Sequence, residues 1–126
     1  KMKKILYISI LTVLCSCGAD YNSSPEVVVN TIFSAARQNN ISILKNLCHP
    51  DVFNDGETRN ICNLEKYPTR INEFIELFQN GSIDKNLVTV IDNDEASVPI
   101  IFGPNSDMDG VMYLEKFDGK WYLSGF

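Results

Sequence analysis

Apolar residues along the chain change their spacing twice, and each change marks a different kind of segment. Residues 5–14, ILYISILTVL, form an almost unbroken apolar run behind Lys1, Lys3 and Lys4. From residue 24 the apolar positions recur every three to four residues, the period of a helix with one buried face. From residue 86 they crowd into short β-rich runs divided by Asp, Asn, Gly and Pro.

The helical part separates into three pieces. In SSPEVVVNTIFSAARQNN, Ser24 is a good N-cap, Pro25 suits the first helical position and Glu26 favours the positive end of the dipole. Val28, Ile32 and Ala35 share a face with Val29 and Phe33 beside them, and Asn39-Asn40 ends the element. A second, shorter helix is expected from about Ile41 to Leu47, with Ile41, Leu44, Leu47 and Cys48 inward and Pro50 beyond its end. After a turn-rich stretch, HPDVFNDGETRNI, the segment YPTRINEFIELFQNG predicts a third helix. Pro68 starts it, Ile71, Phe74, Ile75 and Phe78 form its apolar face, and Gly81 fits a left-handed C-cap.

Four strands are expected over 86–92, 96–103, 110–117 and 120–126, with turns at 92–95 and 104–109. Asp118-Gly119 is a two-residue hairpin signal. Helices segregated before an antiparallel meander mean an α+β fold: three N-terminal helices on one face of an antiparallel sheet of four or more strands. Leu87, Val88, Val90 and Ile91 are apolar on both faces of their strand, as are Val98, Ile100, Ile101 and Phe102 of the next. Helices can cover only one face, so the other is expected to meet a partner, such as a second copy forming a homodimer.

The opening apolar run would rise only about 15 Å as a helix, half of a bilayer's hydrocarbon core. Basic residues ahead of so short a run are the layout of a secretory signal. Leu14-Cys15-Ser16-Cys17-Gly18 then resembles the bacterial lipobox, with Leu14 at −3, Ser16 at −1 and Cys17 as the cysteine that is acylated. The resemblance implies a signal peptide over 1–16, a lipidated tether over 17–24, and one domain over 25–126. It places the protein in the bacterial cell envelope, periplasmic or surface-exposed, attached to the membrane through lipid on Cys17. A plain signal peptide with incidental cysteines is the alternative.

Three of the 11 Lys and Arg lie in the leader and all 16 Asp and Glu beyond it, leaving a net charge of about −8 on the mature chain. So acidic a surface argues against nucleic acid, whose phosphates need cationic patches. Cys48 and Cys62 remain, with 13 residues between them. In an exported protein such a pair favours a disulfide; two buried free thiols are the other reading.

The Ser-Pro-Glu helix start, the stretch LKNLCHPD and the closing LEKFDGKWYLSGF are similar to the nuclear transport factor two-like superfamily, and more narrowly to its small bacterial lipoproteins. The likeness spans roughly residues 24–126. It implies a strongly curved, cone-like sheet around a helix, often with a pocket at the open end and frequently with sheet-mediated dimers. The superfamily hosts enzymes, carriers and assembly modules, so the fold by itself assigns no chemistry.

Candidate sites are few. His49 and Asp51, in CHPDVF, match the His and Asp that some enzymes of that superfamily pair inside the cone; a helix-end histidine satisfied by local carbonyls is the plainer reading. Asn105, Asp107 and Asp109 open NSDMDG like a calcium loop, but Lys116 stands where the bidentate Glu belongs, and a polar loop also explains them. Tyr67, Tyr113, Trp121 and Tyr122 could line a pocket, although strand aromatics more often pack in a core. No phosphate loop, GxSxG or HExxH is present, and no cofactor is implied. The expectation is a lipid-anchored binding module for a small apolar ligand or an envelope protein partner. The rival is a lyase or isomerase using His49 and Asp51.

Overall fold

The computed structural model describes residues 20–50 and 56–126. The segment expected to be a signal peptide, Cys17 and Asp51 lie outside them. Helix α1 (Pro25–Gln38) forms as its sequence predicts: the Ser24 hydroxyl accepts the Val27 N–H at 3.1 Å, and Pro25 occupies the first turn. Asn39 ends the helix in the left-handed region at φ 54, donating its N–H to the carbonyls of Ala35 and Ala36. Asn is among the few residues that tolerate this conformation. Val28, Val29, Ile32, Phe33, Ala35 and Ala36 are all buried.

The next element, Ile41–Leu47, is a 3₁₀ helix and not an α-helix. The reason lies in its pattern: Ile41, Leu44 and Leu47 recur every third residue, and a three-residue turn puts all of them in one buried line. The stretch expected to be turn-rich contains most of helix α2 (Gly56–Cys62), on which Thr58, Ile61 and Cys62 are buried. The predicted third helix is broken. Single 3₁₀ turns at Leu64–Lys66 and Pro68–Arg70 precede helix α3 (Ile71–Phe78), which buries Phe74 and Phe78.

Gly81 is not a left-handed cap. Gln79 continues the right-handed conformation past the helix end, and Gly81 lies outside the positive-φ region. Glycine is needed there for space, because a Cβ would overlap the Phe33 ring.

Five antiparallel strands make one sheet: β1 (Ser82–Ile83), β2 (Val90–Asp92), β3 (Glu95–Phe102), β4 (Met108–Phe117) and β5 (Lys120–Gly125). β1 has no counterpart in the sequence reading, and β2 is shorter than predicted. A turn holds the residues before it: the Asp84 carboxylate accepts the Asn86 N–H at 2.9 Å and the Asp84 carbonyl that of Leu87 at 3.3 Å. Both short strands pair with the same edge of β3, β2 against 95–97 and β1 against 100–101. Pro99 falls in the gap between them, so its missing N–H removes no rung of the ladder, while its carbonyl accepts the Asp84 N–H at 2.9 Å.

β4 joins β5 through Asp118 (φ 53) and Gly119 (φ 79), the doubly left-handed turn that the Asp-Gly pair predicts. A register shift between Tyr113 and Leu114 bends this last pair and increases its twist. The inner face, Ala96, Val98, Ile100, Met112, Leu114, Trp121 and Leu123, is buried, and α1 packs against β1, β3 and β5. The free edge of β5 is not bare. Trp121 and Asn22 exchange bonds: the Trp121 N–H donates to the Asn22 carbonyl at 2.9 Å, and the Asn22 amide donates to the Trp121 carbonyl at 2.8 Å. Further along, the His49 N–H donates to the Leu123 carbonyl at 2.9 Å. Both contacts blunt an edge that could otherwise recruit another strand.

Candidate functional site

The far end of the sheet holds a cavity of about 320 Å³. Its floor is aromatic. Phe78 and Phe102 stack with centroids 5.5 Å apart, and Phe126 meets both edge-on at 5.5 and 5.4 Å. Phe74 adds a fourth ring 5.3 Å from Phe78. Gly110, on the inner face of β4, lets the group close up: a Cβ there would sit 3.0 Å from the Phe102 ring and 3.2 Å from that of Phe126. Ile61 of α2, Leu64, Leu77 of α3 and Met108 at the start of β4 complete the apolar wall. Only Asn60, Arg70 and Glu73 bring polar groups to the lining. The volume lies at the low end of the range for small-molecule sites, and mostly apolar walls with a few polar groups are their usual composition.

α3 and the turn before it place five of the eleven lining residues. Arg70, Glu73, Phe74, Leu77 and Phe78 recur at three and four residues, so they form one stripe along the helix and the turn before it. The opposite wall depends on α2, whose last residue, Cys62, lies at disulfide-bonding distance from Cys48, with Cα atoms 6.0 Å apart. Through Cys48, which bridges to Leu123, the α2 wall is tied to β5.

The residues singled out in the sequence are not gathered here. His49 packs edge-on against Phe117 and Tyr122 at 5.5 and 6.3 Å. Those two residues point to the outer face of the sheet, because Leu114 and Leu123 between or beside them point inward. Tyr67 and Tyr113 are about half exposed and line no part of the cavity. Trp121 is 6 % exposed, buried in the core with the Lys116 ammonium 5.8 Å from its ring centroid. In the Asn105–Gly110 loop, Asp107 and Asp109 are exposed, and Asp109 pairs with Ile101 on the outer face. Among the described residues, no group of three or more His, Cys, Asp or Glu is placed to hold a metal ion, and no helix is long and apolar enough to cross a membrane. The cavity's own residues went unremarked as a site because Phe74, Phe78 and Phe102 look like ordinary core positions. The usable signal was the Arg70–Glu73 pair on the same stripe.

No known sequence family and no curated protein matches the chain. Two solved structures share its fold. One is the crystal structure of a Campylobacter jejuni protein described as an NTF2-like transpeptidase, 14 % identical, with a TM-score of 0.55 over 82 % of this chain and 99 % of that one. The other is the solution structure of a SEC-C motif-containing protein from Rhodopseudomonas palustris, 16 % identical, with a TM-score of 0.53 over 81 % of this chain and 76 % of that one. At such identities the likeness establishes the architecture alone: an α+β fold, helices on one antiparallel sheet, like that of the NTF2-like neighbour.

Proposed function

We propose that this domain is a binding module that takes a small, mainly apolar ligand into the cavity, and that lipid on Cys17 holds it at a bacterial envelope membrane. The observation that carries the first half is the cavity itself: eight of its eleven lining residues are apolar. The enzyme alternative draws no support from placement, since His49 faces away from this space. A neutral apolar fluorophore, N-phenyl-1-naphthylamine, tests the reading. It should brighten on binding the wild-type domain, and Leu77→Trp, which fills the cavity, should weaken binding more than tenfold with the melting temperature held. Failure of the probe to bind, or indifference to the substitution, would refute it.

A second reading concerns the outer face, where Val90 and Tyr113 are exposed beside a shallow groove of about 200 Å³ that also includes Ser97. With Leu87 and Val88 exposed nearby, this side offers an apolar surface for a second copy of the chain. Light scattering at rising concentration, on wild type and Val90→Lys, distinguishes a dimer from a monomer.

A further inference from the structure

We infer that the cavity's occupant is an apolar zwitterion with the chemistry of a hydrophobic α-amino acid, an inference that rests on reading the cavity as a ligand site. The argument starts from charge at the rim. Arg70 and Glu73 are both exposed and both line the cavity. Among the described residues the only ion pair joins Lys45 and Glu65 at 3.5 Å, and neither Arg70 nor Glu73 makes a side-chain hydrogen bond to another of them. One cation and one anion thus stand at the mouth with their bonding capacity unused.

Their spacing sets what they can recognise. Residues three apart on a helix have Cβ atoms about 5–6 Å apart. A single small head group can touch both, and an α-amino acid carries its carboxylate and ammonium on one carbon. A lone carboxylate would gain from Arg70 and be repelled by Glu73; a lone amine would meet the reverse. An anion would also face the field of a chain with net charge −5. Among charged heads, only one bearing both charges gains from both groups. Asn60, half-buried on the opposite wall, offers an amide to either end.

Size agrees with this. A dry apolar cavity of about 150 Å³ already accommodates a benzene ring. The 320 Å³ here has room for a ring or branched chain and its backbone head, but not for a two-chain lipid. The four phenylalanines supply edges and faces for aromatic or aliphatic packing.

Displacement of N-phenyl-1-naphthylamine from the wild-type chain by L-phenylalanine, phenethylamine and 3-phenylpropionate decides the matter. Exposed charge pairs are weak, so L-phenylalanine should compete about two- to fivefold more tightly than either singly charged analogue. Arg70→Met should erase its advantage over phenethylamine, and Glu73→Gln its advantage over 3-phenylpropionate. Both positions are exposed, so the variants should fold. Equal competition by all three, an order unmoved by the substitutions, or no displacement of a bound probe overturns the zwitterion while leaving the cavity reading intact. A probe that never binds removes both.

Discussion

Cutting the Cys48–Cys62 link should destabilise the domain far more than its two small side chains suggest. The pair is separated by 14 positions, so a bond closes a loop of about 15 residues, and constraining the unfolded chain to that loop contributes about 3 kcal/mol. For a domain near 100 residues each kcal/mol moves the melting temperature by about 4–8 °C, which gives a drop on the order of 12–24 °C. The effect should also be local. α2 packs against β5 and the Ile41–Leu47 turn, and its Asn60 and Ile61 form one cavity wall, so freeing Cys62 loosens the wall before the sheet. The assay is thermal unfolding of wild type and Cys48→Ala/Cys62→Ala by circular dichroism, with and without dithiothreitol, alongside naphthylamine binding at 20 °C below each midpoint. Reductant should bring the wild type close to the variant and leave the variant unmoved, and both reduced forms should bind the probe more weakly. Native alkylation of both thiols without reductant, or a midpoint shift under about 3 °C with no response to dithiothreitol, would show that no bond forms.

Two further perturbations bear on other parts of the molecule. Gly81→Ala should cost about 1–3 kcal/mol by forcing a methyl group into the buried Phe33 ring, seen as a lower urea midpoint at constant slope; an unchanged midpoint refutes the packing argument. Cys17→Ala should abolish incorporation of radiolabelled palmitate and move the protein from the membrane pellet to the soluble fraction, whereas continued membrane retention would sink the lipid-anchor proposal.

The fold was largely legible because each level of the sequence agreed with the next. Ser24, Pro25 and Asn39 bracket α1 by capping chemistry alone, and Asp118-Gly119 marks a turn whose conformation few other pairs adopt. Periodicity misled where tertiary contacts decide. Asn54-Asp55-Gly56 concealed a helix that exists by burying Thr58 and Ile61 and by the proximity of Cys62 to Cys48. Gly81 was assigned to backbone conformation when its role is steric, a distinction that depends on Phe33, 48 positions earlier. The site was less legible still. His49, Tyr67 and Tyr113 drew notice for their chemistry, yet a cavity is made by what is left unfilled, and no residue type announces that. Phe126 reaches Phe78 and Phe102 only after β5 has crossed the sheet.

The stapling of Asn22 to Trp121 fixes where the chain leaves the domain. Trp121 stands at the start of β5 and Phe126 just past its end, five residues and about 17 Å along the strand. The cavity is therefore at one pole and the exit point of the N-terminal segment at the other. If Cys17 carries lipid as proposed, the five residues from it to Asn22 reach at most about 18 Å, too short for the domain to turn over freely beneath its anchor. On that proposal the cavity lies at the end of the domain remote from the anchor, and a guest would reach it from the aqueous side.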